Sequence, residues 1–245
     1  MDPKKGGYAY EEISFKSFDD TVLYGWFFKS KSNPPKGTVI QFHGNAQNIT
    51  SHFASLVWLT DAGFDFFTFD YRGFGKSKGT PTQSRVYGDS LAALDEVHRL
   101  KELRHSPKIL VYAQSLGGAI LMRTLPDWQN RNDVTAVILD STFSSYQAIA
   151  SQKLRQFWLS YLFSPLAYLL VSDAYAPRLQ DLNFKIAVVH DEKDPVVPFS
   201  NGEEISRGVQ SQDVKFWTFS RGTHTAFPLI RDENQEEIVK FFEGS

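Results

Sequence analysis

The stretch Lys108-Ile109-Leu110-Val111-Tyr112-Ala113-Gln114-Ser115-Leu116-Gly117-Gly118 decides how the chain is read. Lys108 to Tyr112 is a short apolar run of the kind that forms a strand buried on both faces. Gln114 to Gly118 then opens a helix that the pattern carries to Leu125. A serine set between a buried strand and a helix, with small residues two before and two after it, has the form of a nucleophile elbow. The turn is so tight that bulky side chains at those flanking positions would collide. It lifts the Ser115 hydroxyl to the start of a helix, where partial positive charge favours a developing anion. Ala113 stands where such elbows usually carry glycine, and a methyl group is tolerated there. The plainer reading of Ser115 is a serine that caps the helix.

Outward from this elbow the chain alternates strand and helix. Glu12 to Lys16 and Val22 to Phe28 read as a hairpin turning at Asp19-Asp20. Thr38 to Phe42 is a strand ending in His43-Gly44, Asn48 to Ala62 looks helical, and Phe64 to Phe69 is a second buried strand. A glycine-punctuated turn follows at Asp70 to Gly75, then a helix from Val86 to Leu103 with Leu91, Leu94, Val97 and Leu100 at helical spacing. Val134 to Leu139, Lys185 to Val189 and Val214 to Phe219 read as further strands, and Glu236 to Phe242 as the last helix. Near-continuous apolar strands separated by helices predict an α/β protein with a mostly parallel, twisted sheet covered on both faces. The chain of 245 residues is expected to form one domain. The aromatic-rich segment between Asp140 and Lys185 exceeds an ordinary crossover. It is expected to insert a helical cap, about residues 143–182, over the C-terminal edge of the sheet, where ligands bind in open α/β folds.

A serine hydroxyl needs a base. His224 lies in Arg221-Gly222-Thr223-His224-Thr225, a loop after the last strand, at the edge where it can meet Ser115. His52, His98 and His105 fall in predicted helices or at their ends and read as surface residues. The base in turn needs a carboxylate to hold its tautomer. Asp194 follows the strand that ends at Val189, in a turn stiffened by Pro195. Asp191 and Asp140 are rivals, Asp140 because it ends a strand at the same edge; a solvated loop carboxylate is the plainer reading of each and the preferred one for Asp191. Ser115, Asp194 and His224 occur in the chain order expected on this fold. An oxyanion hole would draw one donor from the Leu116 amide and the other from the loop after Phe42, hence Asn45 or Ala46. His43 is expected to shape that turn.

His43-Gly44-Asn45-Ala46, Asp70 to Ser77, Gln114 to Gly118, Asp194 to Pro198 and Gly222-Thr223-His224 together resemble the α/β-hydrolase superfamily. The likeness is to its small serine-hydrolase branch with an HGN oxyanion loop, which includes bacterial esterase-like proteins and eukaryotic acyl-protein and lipid hydrolases. The resemblance implies the α/β-hydrolase fold, Ser115, Asp194 and His224 as a catalytic triad, and Asn45 with Leu116 as oxyanion donors. It also implies that the Tyr71-Arg72-Gly73 turn supports the site, although a tight turn with no catalytic role is the preferred reading. The expected activity is hydrolysis of carboxylic esters with short to medium acyl chains through an acyl-enzyme. The same residues would serve a thioesterase of the depalmitoylase kind or a peptidase. A non-catalytic small-ligand receptor on this fold is the alternative of another class.

Composition removes other classes. No cysteine is present, so a thiol nucleophile, a thiolate metal site and disulfides are excluded. The net charge of −2, with no basic stripe, speaks against nucleic acid as a partner. No cofactor is expected, because Gly73-Phe74-Gly75 lacks the dinucleotide fingerprint. No metal site is expected either, since no His/carboxylate cluster stands out beyond the triad. The polar start, Met1 to Tyr10, lacks the apolar core of a signal peptide. A cytoplasmic location is therefore expected, with an anchor or leader ahead of it left open. The substrate is expected to be a small acyl ester or lipid-like molecule, with Phe143, Phe157, Trp158, Tyr161 and Leu162 of the cap lining its pocket. The apolar stretch from Phe157 to Val171 offers peripheral membrane contact as a further role.

Overall fold

The computed structural model describes residues 2–147, 149–150, 179, 184–209, 214–225 and 227–244. Eight strands form one sheet: β1 (Glu11–Lys16), β2 (Val22–Phe28), β3 (Thr38–Phe42), β4 (Asp65–Asp70), β5 (Ile109–Gln114), β6 (Val134–Asp140), β7 (Lys185–Asp191) and β8 (Val214–Phe219). Their order across the sheet is β1-β2-β4-β3-β5-β6-β7-β8. β2 runs antiparallel to both β1 and β4, and every other pairing is parallel. β3, β4 and β5 are buried at every position, as strands covered on both faces must be.

Two apolar layers cover the sheet. One face packs Phe42, Phe67, Phe69, Val111 and Val137 under α2 (Gln83–Leu103) and α3 (Leu116–Thr124). The other packs Phe28, Phe66, Leu110, Tyr112 and Ile138 against the segment around Phe53–Leu59 and the last helix. The α/β expectation is met.

Four strands run one or two residues further than their apolar runs. They end on polar residues buried at the sheet's C-terminal edge: Asp70, Gln114, Asp140 and Asp191. Gln114 is paired in register with Asp140, so the ladder continues where the hydrophobic pattern stops. This edge carries the site.

Two helices differ from expectation. In place of one helix from Asn48 to Ala62 the chain forms a single α turn, α1 (Ile49–His52), then 3-10 turns at Phe53–Ser55 and Val57–Thr60. Local side-chain bonds compete with the helical ladder here: Ser55 Oγ donates to the His52 carbonyl, Thr60 Oγ1 to that of Val57 and Trp58 Nε1 to that of Ser55. The last helix begins well before Glu236, spanning Phe227–Glu243. Its polar run from Arg231 to Glu237 lacks the apolar periodicity that would reveal a helix in sequence, and Pro228 sits in the first turn, where proline is compatible. It is α5, after α4 (Phe199–Gly208).

Most of the expected cap lies outside the described residues, including Phe157, Trp158, Tyr161, Leu162 and the whole stretch to Val171. Among the described residues no helix is long and apolar enough to cross a membrane.

Candidate active site

The elbow is built as its sequence requires. Ser115 has φ 52° and ψ −118°, a backbone state that side-chain-bearing residues rarely hold. A Cβ added at Gly117 would lie 2.2 Å from the Phe42 carbonyl oxygen, so the close approach of α3 to the end of β3 demands glycine there. Ala113, paired with Phe42 across the β3–β5 ladder, keeps its methyl inside the core. Ser115 does not cap α3 with its side chain. Its Oγ instead lies 3.1 Å from His224 Nε2.

Strand order explains how residues so distant in sequence converge. β5 carries Ser115, β7 leads to Asp194 two strands away, and β8 leads to His224 one strand beyond. At about 4.8 Å per strand, the β8 loop must reach back roughly 14 Å over the sheet edge. His224 Nδ1 faces Asp194 Oδ2 at 2.8 Å. Asp194 also accepts from the amides of Val196 and Val197, at 2.7 and 2.9 Å. Burial alone would raise the Asp194 carboxyl, but the bonds from His224, Val197 and Val196 outweigh it and hold it below its ordinary value.

Asp140 is turned to other partners. It accepts from Tyr112 Oη at 2.8 Å and from Ser141 Oγ at 3.0 Å, and Ser141 Oγ in turn accepts from the Thr225 amide. The geometry thus brings His224 to Asp194 and leaves Asp140 in the support beneath the loop.

Asp191 departs from its reading as a solvated carboxylate. It is fully buried and accepts from the amides of Lys193, Arg221, Gly222 and Thr223, with Thr223 Oγ1 also in range. Burial pushes this carboxyl up, yet the four amides pull it down to about 2. The signal missed in sequence is that β7 extends to residue 191, which turns an apparent loop residue into the last residue of a buried strand.

The loop expected to supply an oxyanion donor follows β3. Asn45 and Leu116 line one cavity of about 230 Å³ beside Ser115. The Leu116 amide opens α3, where helical N–H groups have no intrahelical acceptor. Ala46 has its carbonyl turned to His52, whose Nε2 is 2.6 Å away. His52 is therefore a half-buried neighbour of the site and not the surface residue expected. His43 shapes the turn as expected, with Nδ1 2.8 Å from the Gly44 carbonyl and a ring fully buried against Tyr71 and Phe74.

Tyr71 and Phe74 also line the cavity, so the Tyr71-Arg72-Gly73 turn does more than reverse the chain. Arg72 anchors it. The guanidinium is buried and bonds to Asp89 and Asp19. Of the expected pocket residues, Phe143 is buried against Ala119 and Val197, and its neighbour Tyr146 is the one that reaches the cavity wall. Burial raises the Tyr146 phenol to about 12, so it stays protonated.

His98, Glu102 and Asp133 come together elsewhere, with ligand atoms within 4.8 Å of one another. Sequence spacing hides this cluster because Asp133 comes from a distant turn. Lys101 Nζ pairs with two of these groups, 2.7 Å from Glu102 and 3.1 Å from Asp133.

A family model described as serine aminopeptidase, S33, matches residues 33–176, more than half of the chain. The chain is an α/β hydrolase. The hydrolase is 33% identical to the protein YfhR of Escherichia coli over 201 residues, which cover 80% of this chain and 66% of that protein. It is 33% identical to the α/β hydrolase domain-containing protein WAV2 of Arabidopsis thaliana over 147 residues, covering 58% of this chain and 46% of that one. The chain thus spans just under two thirds of YfhR and less than half of WAV2. Its fold is that of the Pyrococcus furiosus esterase Pf2001, with a TM-score of 0.79, 18% identity and coverage of 100% of this chain and 95% of that one.

Proposed function

We propose that this hydrolase cleaves carboxylic esters of short to medium acyl chains, with Ser115 as nucleophile, His224 as general base and acid, and Asp194 orienting the imidazole. The observation that carries the reading is the pair of contacts at His224, 2.8 Å to Asp194 and 3.1 Å to Ser115. Nδ1–H donates to the carboxylate, which leaves the Nε2 lone pair facing the hydroxyl. Nε2 takes the proton as Oγ attacks the acyl carbon. The amides of Leu116 and Asn45 receive the negative charge on the carbonyl oxygen. Nε2–H then protonates the departing alcohol, leaving an acyl group on Ser115. Water, deprotonated by the same nitrogen, releases the acid and restores the hydroxyl.

The cavity of about 230 Å³ supports a short acyl group, since pockets for drug-sized ligands run to about 300–1,000 Å³. Its lining includes the apolar side chains of Tyr71, Phe74, Val86, Leu116 and Ile120. The S33 description raises cleavage of a peptide bond at a free amino terminus. Among the described lining residues there is no carboxylate to hold an ammonium group, whereas Arg123 is present, and this favours an ester. A small acyl ester or lipid-like molecule is the partner this reading requires.

A series of chromogenic esters from acetyl to palmitoyl, with aminoacyl anilides in parallel, tests the proposal. Turnover should peak among the shorter esters, exceed that on the anilides, and disappear in Ser115→Ala. Equal residual rates in wild type and Ser115→Ala would overturn it.

A further inference from the structure

We propose that His52 is a positioning residue of the oxyanion hole, a strut that fixes the Asn45–Ala46 loop against the strand bearing the nucleophile. The inference rests on the hydrolase reading of Ser115 and deepens it.

The two oxyanion donors come from different parts of the chain. The Leu116 amide is fixed by the elbow. The Asn45 amide belongs to an exposed loop in which Gln47 takes φ 66°. Among the described residues, one hydrogen bond ties the stretch 45–47 to the body: His52 Nε2 to the Ala46 carbonyl, at 2.6 Å. The other ring nitrogen, Nδ1, lies 3.1 Å from Gln114 Oε1, one residue before Ser115. The imidazole therefore spans the gap between the two halves of the hole.

The strut is itself held rigidly. Its backbone carbonyl accepts from Gln41 Nε2 and Ser55 Oγ, at 3.1 and 2.8 Å. Gln41 is fully buried in β3 and locked by Thr68 Oγ1 at 2.9 Å. At the other end of α1 the Ile49 amide donates to buried Asp70 at 2.9 Å. The imidazole stacks on His43, with ring centres 5.2 Å apart. With its backbone tied to the sheet at these points and its ring stacked on buried His43, the residue can hold a loop.

The chemistry of the two contacts is asymmetric. A backbone carbonyl only accepts, so Nε2 must carry the proton. Burial, with His43 alongside, lowers the His52 pKa against the opposing pull of Ala46, Gln114 and Asp70, so the ring is neutral at neutral pH. Nδ1 then offers a lone pair, and Gln114 satisfies it only by rotating its carboxamide, so that the NH₂ group takes the place of the Oε1 that stands 3.1 Å from the ring. A glutamine can turn either end to the ring, so this contact forms with either protonation state.

A misplaced oxyanion donor weakens charge stabilisation in the transition state and leaves substrate binding intact. His52→Ala should therefore lower kcat about 10–100-fold with KM within about twofold, less than the 10²–10³ expected from losing a donor outright. His52→Gln places an amide N–H near the position of Nε2 and should restore kcat to within a few-fold. Gln114→Leu removes the other end of the strut and should lower kcat by a smaller factor. Rates are expressed per site titrated by a fluorophosphonate, so that loss of folded protein does not count as loss of turnover. If His52→Ala does not fold, Gln114→Leu carries the test.

The inference is overturned if kcat per titrated site is unchanged in His52→Ala, if KM alone rises, or if His52→Gln recovers nothing. If the alanine variant is lost, it is overturned when Gln114→Leu turns over at the wild-type rate per titrated site. A wild type that is not labelled, with Ser115→Ala hydrolysing as fast, would remove the hydrolase reading and this inference together. That outcome differs from a labelled wild type whose His52 variants turn over normally.

Discussion

The carboxylate of Asp191 holds the amide of Thr223, the residue before His224, at 3.2 Å. With Arg221 and Gly222 also donating to it, one buried side chain at the end of β7 fixes the whole approach of the β8 loop to Ser115. The position of the imidazole thus depends on a residue that never touches it. Asp191→Asn keeps the size but aims an NH₂ group at amides that need an acceptor. Its kcat should fall about 10–100-fold through a displaced His224, with a smaller change in KM, as steady-state kinetics on the best ester would record.

The same carboxylate gives an acid-side signature. Its folded pKa, about 2, lies below the ordinary 3.8. A depressed carboxyl stabilises the fold once ionised, so its contribution is present above the ordinary value and is lost as pH falls through about 2. Thermal melts of the wild type should show Tm dropping between about pH 4 and pH 2. Asp191→Asn should start lower and show a shallower decline. Parallel curves for the two proteins would assign the acid limb to other groups.

Ser115, His224 and Asp194 should act as a unit. Ser115→Ala and His224→Ala should each lower kcat by about 10⁴-fold or more, and the double variant should be no more than a few-fold slower than either. Asp194→Asn, which offers His224 an NH₂ group and favours the wrong tautomer, should lose about 10³–10⁴. Additive losses in the double variant would argue that the serine and histidine work independently.

Acyl binding in the cavity, as proposed above, makes a quantitative prediction. Each added methylene that enters the space between Phe74, Val86 and Ile120 should raise kcat/KM about fourfold, the equivalent of about 0.8 kcal/mol, until the cavity is full. Ile120→Phe narrows the cavity from the α3 side. It should move the optimum to shorter esters and leave the rate on acetyl esters within a few-fold of wild type. An unchanged chain-length profile would place the acyl group elsewhere.

Much of this was legible in the sequence because the strands announce themselves. Thr38–Phe42 and Val214–Phe219 have the very bounds read from their apolar runs. The elbow at Ser115 is visible because sterics restrict its neighbours. What escaped was polar structure built on buried backbone. Asp191 looks like a loop residue and Gln114 like the start of a helix, because the hydrophobic pattern stops before the ladder does. His52 looks like a surface residue because a helix of fifteen residues was expected around it, whereas four form one and the chain then turns. The cluster at His98 needed a contact between a helix and a distant turn, which no local spacing encodes.

The last prediction concerns Arg72, because its burial links stability to the pocket. The guanidinium is 2% exposed, donates to Asp89 Oδ1 at 2.7 Å and Oδ2 at 2.9 Å, and reaches Asp19 at 2.7 Å. Asp89 also accepts from the Arg72 amide at 3.0 Å, so the same carboxylate fixes both the side chain and the turn. Removing one member of a buried pair leaves the other charge stranded and costs about 3–5 kcal/mol. Arg72→Met should therefore be strongly destabilised in urea unfolding. Replacing both buried partners, Arg72→Met with Asp89→Leu, should recover part of that loss, since the carboxylate left without its partner, Asp19, is exposed to water. The double variant still lacks the bond that Asp89 gives the turn, so Tyr71 and Phe74 should move. Its KM for the longer esters should rise even where its stability returns. Recovery of stability with an unaltered chain-length profile would show that the turn holds its pocket residues without the carboxylate.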